Sequence, residues 1–273
     1  MTVAFAQSWQ MFKTSAAVLR TRKELAVFPV LSGVASVAVT ASFVVPIVAV
    51  DLWDRSSAVT YVLFGLMYLA SAFVTVFFNA ALISQADLAM RGGDPSAAGG
   101  IQAAAARWPR ILLWALVSAT VSQLLRMVQD RVGFLGDLLV SLVGAAWQVV
   151  TFLVLPHMVL ADRGVVDAVR DSAASTKRTW GENVVGNAGL GLFGFLLAIP
   201  GGLLVIAGIM VLGVNIAGAL ALVLVGIALI IAAAVVTSAL SGIYQTALYR
   251  YSVDGMVPVA FAGADLAHAF RQR

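Results

Sequence analysis

Six long apolar stretches separated by short polar breaks organise this chain. They fall near residues 25–50, 58–86, 109–128, 133–160, 184–212 and 216–249. About 20 apolar residues cross the hydrocarbon core of a bilayer as a helix, so each stretch predicts one membrane span. The breaks are Asp51-Leu52-Trp53-Asp54-Arg55, the Gly/Pro-rich segment 91–100, Gln129-Asp130-Arg131, the polar segment 161–182 and a faint interruption at Gly213-Val214-Asn215. From Asn183 to Tyr249, 67 residues pass without a charged side chain, enough for two crossings. A turn at Pro200-Gly201-Gly202 would split that run again and give seven spans. Prolines and glycines are tolerated inside membrane helices, so these residues are equally compatible with one uninterrupted span.

Charge decides between six and seven. With six spans and the N-terminus inside, the cytoplasmic segments hold Lys13, Arg20, Arg22, Lys23, Arg91, Arg107, Arg110, Arg163, Arg170, Lys177, Arg178, Arg250, Arg271 and Arg273. The opposite side holds Arg55, Arg126 and Arg131. Such an excess of basic residues on one side sets orientation, and a seventh span would export the tail arginines. The expected architecture is all-α: a polytopic membrane bundle of six transmembrane helices in three hairpins, forming one integral-membrane domain over 1–273. The expected location is the inner (plasma) membrane, multi-pass, with both termini cytoplasmic.

Three shorter segments predict cytoplasmic amphipathic helices. In 3–19 the residues Phe5, Trp9, Phe12 and Leu19 recur at roughly helical spacing, as in a helix lying at an interface. The alanine-rich segments 97–106 and 165–176 each follow an even-numbered span. Leu88-Ala89-Met90-Arg91-Gly92 and Leu160-Ala161-Asp162-Arg163-Gly164 match, and sixteen residues after each glycine stands Trp108 or Trp180. Asp254-Gly255 followed by 259–270 forms a looser third copy. The unit is a hairpin of spans, a glycine turn and an amphipathic helix. Trp9, Trp53, Trp108 and Trp180 are the expected interface anchors.

Composition agrees: 61% of residues are hydrophobic and 11% charged, with mean hydropathy +0.98 and net charge +4. In a membrane chain this excess of base points to orientation and anionic lipid, not nucleic acid. With no cysteine, disulfides, thiolate metal sites and a cysteine nucleophile are excluded. His157 and His268 stand apart from each other and make no metal-ligand set, so no metal or cofactor is expected.

The polar residues inside spans are the candidates for function. His157 follows Pro156 near the cytoplasmic end of the fourth span. It is either a proton carrier or ligand contact, or a neutral imidazole donating to a carbonyl that Pro156 frees. Asn79, Gln85, Gln123, Gln148, Asn187 and Asn215 are amides in or beside spans, where bonding to neighbouring helices is the commoner role. Small residues recur every fourth position in Ser32-Ser36-Thr40, Gly194-Ala198-Gly202 and Ala234-Ser238-Gly242, predicting close helix seams. No Gly-x-Ser-x-Gly or His-Glu-x-x-His pattern occurs.

Several longer motifs carry a resemblance. They are Ser8-Trp9 with Val18-Leu19-Arg20, Lys23-Glu24-Leu25 and Phe28-Pro29-Val30-Leu31-Ser32-Gly33; Phe77-Phe78-Asn79-Ala80-Ala81-Leu82 with Arg91-Gly92-Gly93-Asp94-Pro95; Arg178-Thr179-Trp180-Gly181-Glu182 with Val185-Gly186-Asn187; and Ser238-Ala239-Leu240-Ser241-Gly242-Ile243-Tyr244-Gln245 with Ala247-Leu248-Tyr249-Arg250-Tyr251. Together they resemble a family of uncharacterised six-span integral membrane proteins of bacteria and archaea, of unknown function. The chain is also distantly similar to membrane domains attached to glycerophosphodiester phosphodiesterases. It holds no catalytic phosphodiesterase domain, so that activity does not carry over.

The expected function is a non-enzymatic scaffold or accessory protein of the cell envelope, whose partners are the lipid bilayer and other membrane proteins. The alternative is a transporter or lipid-handling protein, with Asn79, Gln148, His157 and Asn187 lining a central polar cavity. An intramembrane enzyme lacks any nucleophile–base or metal constellation.

Overall fold

The computed structural model describes residues 13–49, 58–178 and 180–255, and the side chains among these except 134–135, 176–189 and 254. Their regular elements are all helices. A helix over 13–21 (α1) leads through a 3-10 turn, Lys23–Ala26, into α2 (Val27–Ala49). Then follow α3 (Ala58–Met90), α4 (Ala97–Ala105), α5 (Trp108–Gln129), α6 (Phe134–Thr151), α7 (Val154–Leu160), α8 (Val165–Arg178), α9 (Trp180–Val211) and α10 (Ile216–Asp254). Among the described residues, six segments are long and apolar enough to cross a membrane: 23–49, 58–90, 108–129, 136–160, 190–211 and 216–253. Helix α9 runs unbroken through Pro200, so the run without charge holds two spans and not three. Trp9, Trp53 and the tail segment 259–270 lie outside the described residues, as do the side chains of Trp180 and Asn187.

Local chemistry places the ends of these helices. The Gly93 N–H donates to the Leu88 carbonyl at 2.9 Å and the Gly92 N–H to Ala89 at 3.1 Å, with Gly92 left-handed at φ +82°. This paired closure ends α3 because glycine takes the left-handed position without a Cβ penalty. Ser96 then caps α4, its Oγ accepting from the Gly99 N–H at 3.0 Å. Asn215 caps α10 likewise, its Oδ1 accepting from the Gly218 N–H at 3.0 Å, so the faint polar break is the tip of the last hairpin. Pro29 sits in the first turn of α2, where its missing N–H has no partner to lose.

Packing is concentrated at one end of the bundle. The buried core runs through Leu25 and Phe28, Ala80–Ala86, Ile111 and Trp114, Leu153–Val159 and Leu240–Tyr249. Every one of these segments lies toward the end where α1, α4 and α8 fold back, here termed the capped end. Helix α4 packs on α3, and α8 on α6 and α7. Val165, Ala168 and Ser172 of α8 are buried, so this amphipathic helix caps the bundle. Phe28 occupies a notch over Gly100 of α4, where an added Cβ would fall 2.4 Å from the ring. Burying such a side chain contributes about 1.5–3 kcal/mol.

Toward the opposite end the helices separate, and burial there is largely confined to seams within hairpins. The tightest joins α9 to α10. A Cβ on Gly201 would meet the Gly226 carbonyl oxygen at 2.6 Å, one on Gly226 would meet that of Gly201 at 2.6 Å, and Gly208 abuts Ala219 and Val223. Gly194 meets Thr237 in the same seam. The ladder expected every fourth residue is therefore replaced by one every seventh: Gly194, Gly201, Gly208. A step of seven residues returns to almost the same helix face, whereas steps of four drift around it. Gly202 accordingly faces open space.

Gly226→Ala is expected to lower the thermal unfolding midpoint of detergent-solubilised protein, at a cost of about 1–3 kcal/mol from overpacking. Gly202→Ala is expected to leave that midpoint within about 0.5 kcal/mol of the parent. Equal effects would show that the seam does not run through Gly226.

Candidate functional site

The fourth span is broken between α6 and α7, and the break organises the capped end. Pro156 has no N–H, so the carbonyl four residues earlier, that of Phe152, loses its helical donor. Gln245, buried on α10, supplies the replacement: its Nε2 donates to the Phe152 oxygen. Ser172 of α8 closes the other side, its Oγ donating to the Val150 carbonyl at 2.5 Å and accepting from the Leu153 N–H at 3.2 Å. A side chain from each of two other helices thus repairs the backbone of a third. The carbonyl freed by Pro156 is not served by His157, contrary to that reading of the sequence. The His157 ring meets Tyr249 edge to face at 4.8 Å between centroids, and its Nε2 lies 3.4 Å from Ser175 Oγ.

Ion pairs tie the same end together. Asp87, 8% exposed, accepts from Arg250 Nε at 2.5 Å and pairs with Arg91 Nε at 3.1 Å, joining α3 to α10. Arg22 meets Asp94 at 2.7 Å. Arg107 and Arg110 converge on the Asp162 carboxylate at 3.1 and 2.8 Å, holding a residue whose backbone is left-handed at φ +52°. Arg163 pairs with Asp171 at 3.2 Å. Most of these pairs are exposed and contribute little each, but the Asp87–Arg250 pair is largely buried, where losing one partner strands the other. Gln85 performs a related task, its Oε1 accepting from the Ser96 N–H at 2.8 Å to fix the turn into α4.

Two cavities contain candidate residues. One, of about 310 Å³, lies between α7, α8 and α10 and is lined by His157, Arg163, Asp171, Ser175, Tyr249 and Ser252 among others. The other, of about 400 Å³, is a crevice between α2, α3 and α10. Ser32, Thr75, Asn79, Thr237, Ser238 and Ser241 give it a polar lining, and Phe28, Pro29, Phe78, Leu82 and Ala234 its apolar walls. Thr75 and Thr237 donate to carbonyls of their own helices. Among the described residues, the side chains of Ser32, Asn79, Ser238 and Ser241 find no hydrogen-bond partner. No group of three or more His, Asp or Glu among the described residues could hold a metal ion.

A family of unknown function, DUF6159, matches residues 57–259. The chain belongs to this family. The DUF6159 match takes in α3 through α10, hence Asp87, Pro156, Ser172, Gln245 and Arg250, and leaves α1 and α2 outside. No curated protein and no solved structure matches the chain. None of these comparisons supports the distant likeness to glycerophosphodiester phosphodiesterase membrane domains.

Of the four residues expected to share a central cavity, the three whose side chains are described are dispersed in this DUF6159 protein. Asn79 lines the larger crevice and His157 the smaller cavity. Gln148 lies on an exposed face of α6, and the Asn187 side chain is outside the described set. Trp108 opens α5 and is 53% exposed. Sequence reasoning overlooked Gln245, Ser172 and the Asp87–Arg250 pair. Their signals were a proline that orphans a carbonyl, a polar residue available on another helix, and an acid and a base near the ends of two apolar helices.

Gln245→Leu is expected to destabilise the protein by about 1–3 kcal/mol, because the part-buried Phe152 carbonyl loses its donor. Pro156→Ala restores an N–H four residues after Phe152. The double variant is therefore expected to be more stable than Gln245→Leu alone, by thermal unfolding in detergent. Additive losses would mean that the two residues do not serve the same carbonyl.

Proposed function

We propose that this chain is a non-enzymatic scaffold or accessory protein of the cell envelope, set in the inner (plasma) membrane with its capped end and both termini in the cytoplasm. The supporting observation is the use of polar groups at that end. Gln245, Ser172, Asp87, Arg250 and Gln85 are spent on holding helices to one another, which makes a rigid base. Above that base, α4 and α8 expose Ile101 and Val166, the latter 73% accessible, as apolar points on a charged surface. Orientation rests on the distribution of lysine and arginine. The hairpin repeat fits the same reading: Gly92 and Gly255 both close even-numbered spans in the left-handed conformation, and Trp108 and Trp180 both begin the next span. In the middle copy Asp162 takes the left-handed position, two residues ahead of the glycine.

A second reading, lipid handling, is favoured by the crevice around Asn79, where Ser32, Asn79, Ser238 and Ser241 lack internal partners. The two separate on one experiment. Purified protein in proteoliposomes is expected to move neither lipid nor solute faster than empty vesicles. In-cell crosslinking from the exposed surface of α8 is expected to trap a defined membrane-protein partner that Val166→Glu releases. Transbilayer movement by the protein alone would overturn the scaffold reading.

A further inference from the structure

The depth of the crevice between α2, α3 and α10 can be measured along α10, whose end opposite the cap is closed by Asn215: Ser238 lies 22 residues from Ile216. At 1.5 Å per residue that is about 33 Å of helix rise. The hydrocarbon core of a bilayer is about 30 Å thick. With that end at one hydrocarbon boundary, Ser238 and the polar lining beside it fall at the other, on the capped side. That is the level at which the ester groups of glycerolipids sit. The ends of α3 and α10 that carry Asp87 and Arg250 then stand beyond the hydrocarbon, among headgroups and water.

The chemistry of the lining selects the same group. Ser32, Asn79, Ser238 and Ser241 offer hydroxyl and amide N–H donors without internal partners. No lysine, arginine or histidine is among the lining residues, so the crevice offers a phosphate no countercharge. Ester carbonyl oxygens, which only accept, match such a donor set. Phe28, Pro29, Phe78 and Leu82 supply an apolar wall for the first carbons of the acyl chains. Ser238 and Thr75 are exposed at the rim, so the crevice opens sideways into the leaflet.

We propose that this crevice binds the glycerol-ester segment of a diacyl glycerolipid, which enters laterally from the leaflet on the capped side. The site goes beyond the scaffold reading and stands or falls separately from it, because its readout is lipid retention and not capture of a partner or flux. The test is native mass spectrometry of the full-length, delipidated protein with dioleoyl phosphatidylcholine and with its diether analogue, which lacks the ester carbonyls. The diester is expected to be retained at least about threefold better, the factor for one membrane hydrogen bond. Asn79→Leu is expected to lower diester retention by about threefold and to narrow the difference between the two lipids. Gln148→Leu, on an exposed face elsewhere, is expected to change neither. Equal retention of diester and diether by the parent protein would overturn the proposal whether or not any variant folds. The chain has no cysteine, so Ser238→Cys gives a single thiol at the rim. Efficient crosslinking of that thiol to a second copy would assign the crevice to a neighbouring helix and overturn the lipid reading.

Discussion

A part-buried backbone carbonyl that loses its helical donor needs another, and at Phe152 the chain removes that donor itself. Pro156 breaks the fourth span near its end, and the repair comes from elsewhere in the fold. Gln245 reaches the orphaned oxygen from the last span, while Ser172 bridges Val150 and Leu153 from α8. Apolar burial around Leu153, Met158 and Ile243 draws the helices together here. Directional bonds to the broken backbone add the specificity that apolar contact lacks. They also fix the rotation of α10 and the placement of α8 relative to the fourth span.

The rest of the capped end follows from this junction. With α10 set by Gln245, Arg250 one and a half turns further on comes within reach of Asp87, and α3 is joined to it. Tyr244 and Tyr249 fill the space between, one against Phe152 and the other against His157. Small residues let the helices close up: Ala80 and Ala81 on α3, Gly100 on α4, and Gly242 on α10, where a Cβ would fall 2.4 Å from Leu82. Away from this base the spans are joined mainly to their hairpin partners.

The spans and most of their ends were legible in the sequence because each follows from a local property. Hydropathy marks the crossings, Gly92 and Asn215 mark ends, and alanine-rich segments mark α4 and α8. Even the choice of six over seven spans was accessible, because charge asymmetry outweighs a Pro-Gly-Gly run that a helix absorbs. Pairings between distant residues were less accessible. Nothing near Gln245 indicates that its partner is Phe152, and nothing near Asp87 points to Arg250; both depend on how helices rotate when packed. The glycine seam shows the same limit, since residues four apart and seven apart look equally regular on paper and the neighbouring helix decides between them. Asn79 stood out as a deep amide, but its serine neighbours come from α2 and α10 and were not visible as one set.

The concentration of contacts at one end gives the molecule unequal stiffness across the bilayer. Widening the bundle at the cap would break ion pairs and strip the repaired carbonyl of its donor. Widening it at the far end would mostly draw lipid between hairpins that share few side-chain contacts there. Changes in area or thickness confined to the leaflet at the far end are therefore absorbed by splaying, whereas the same changes in the other leaflet meet a clamped collar of helices.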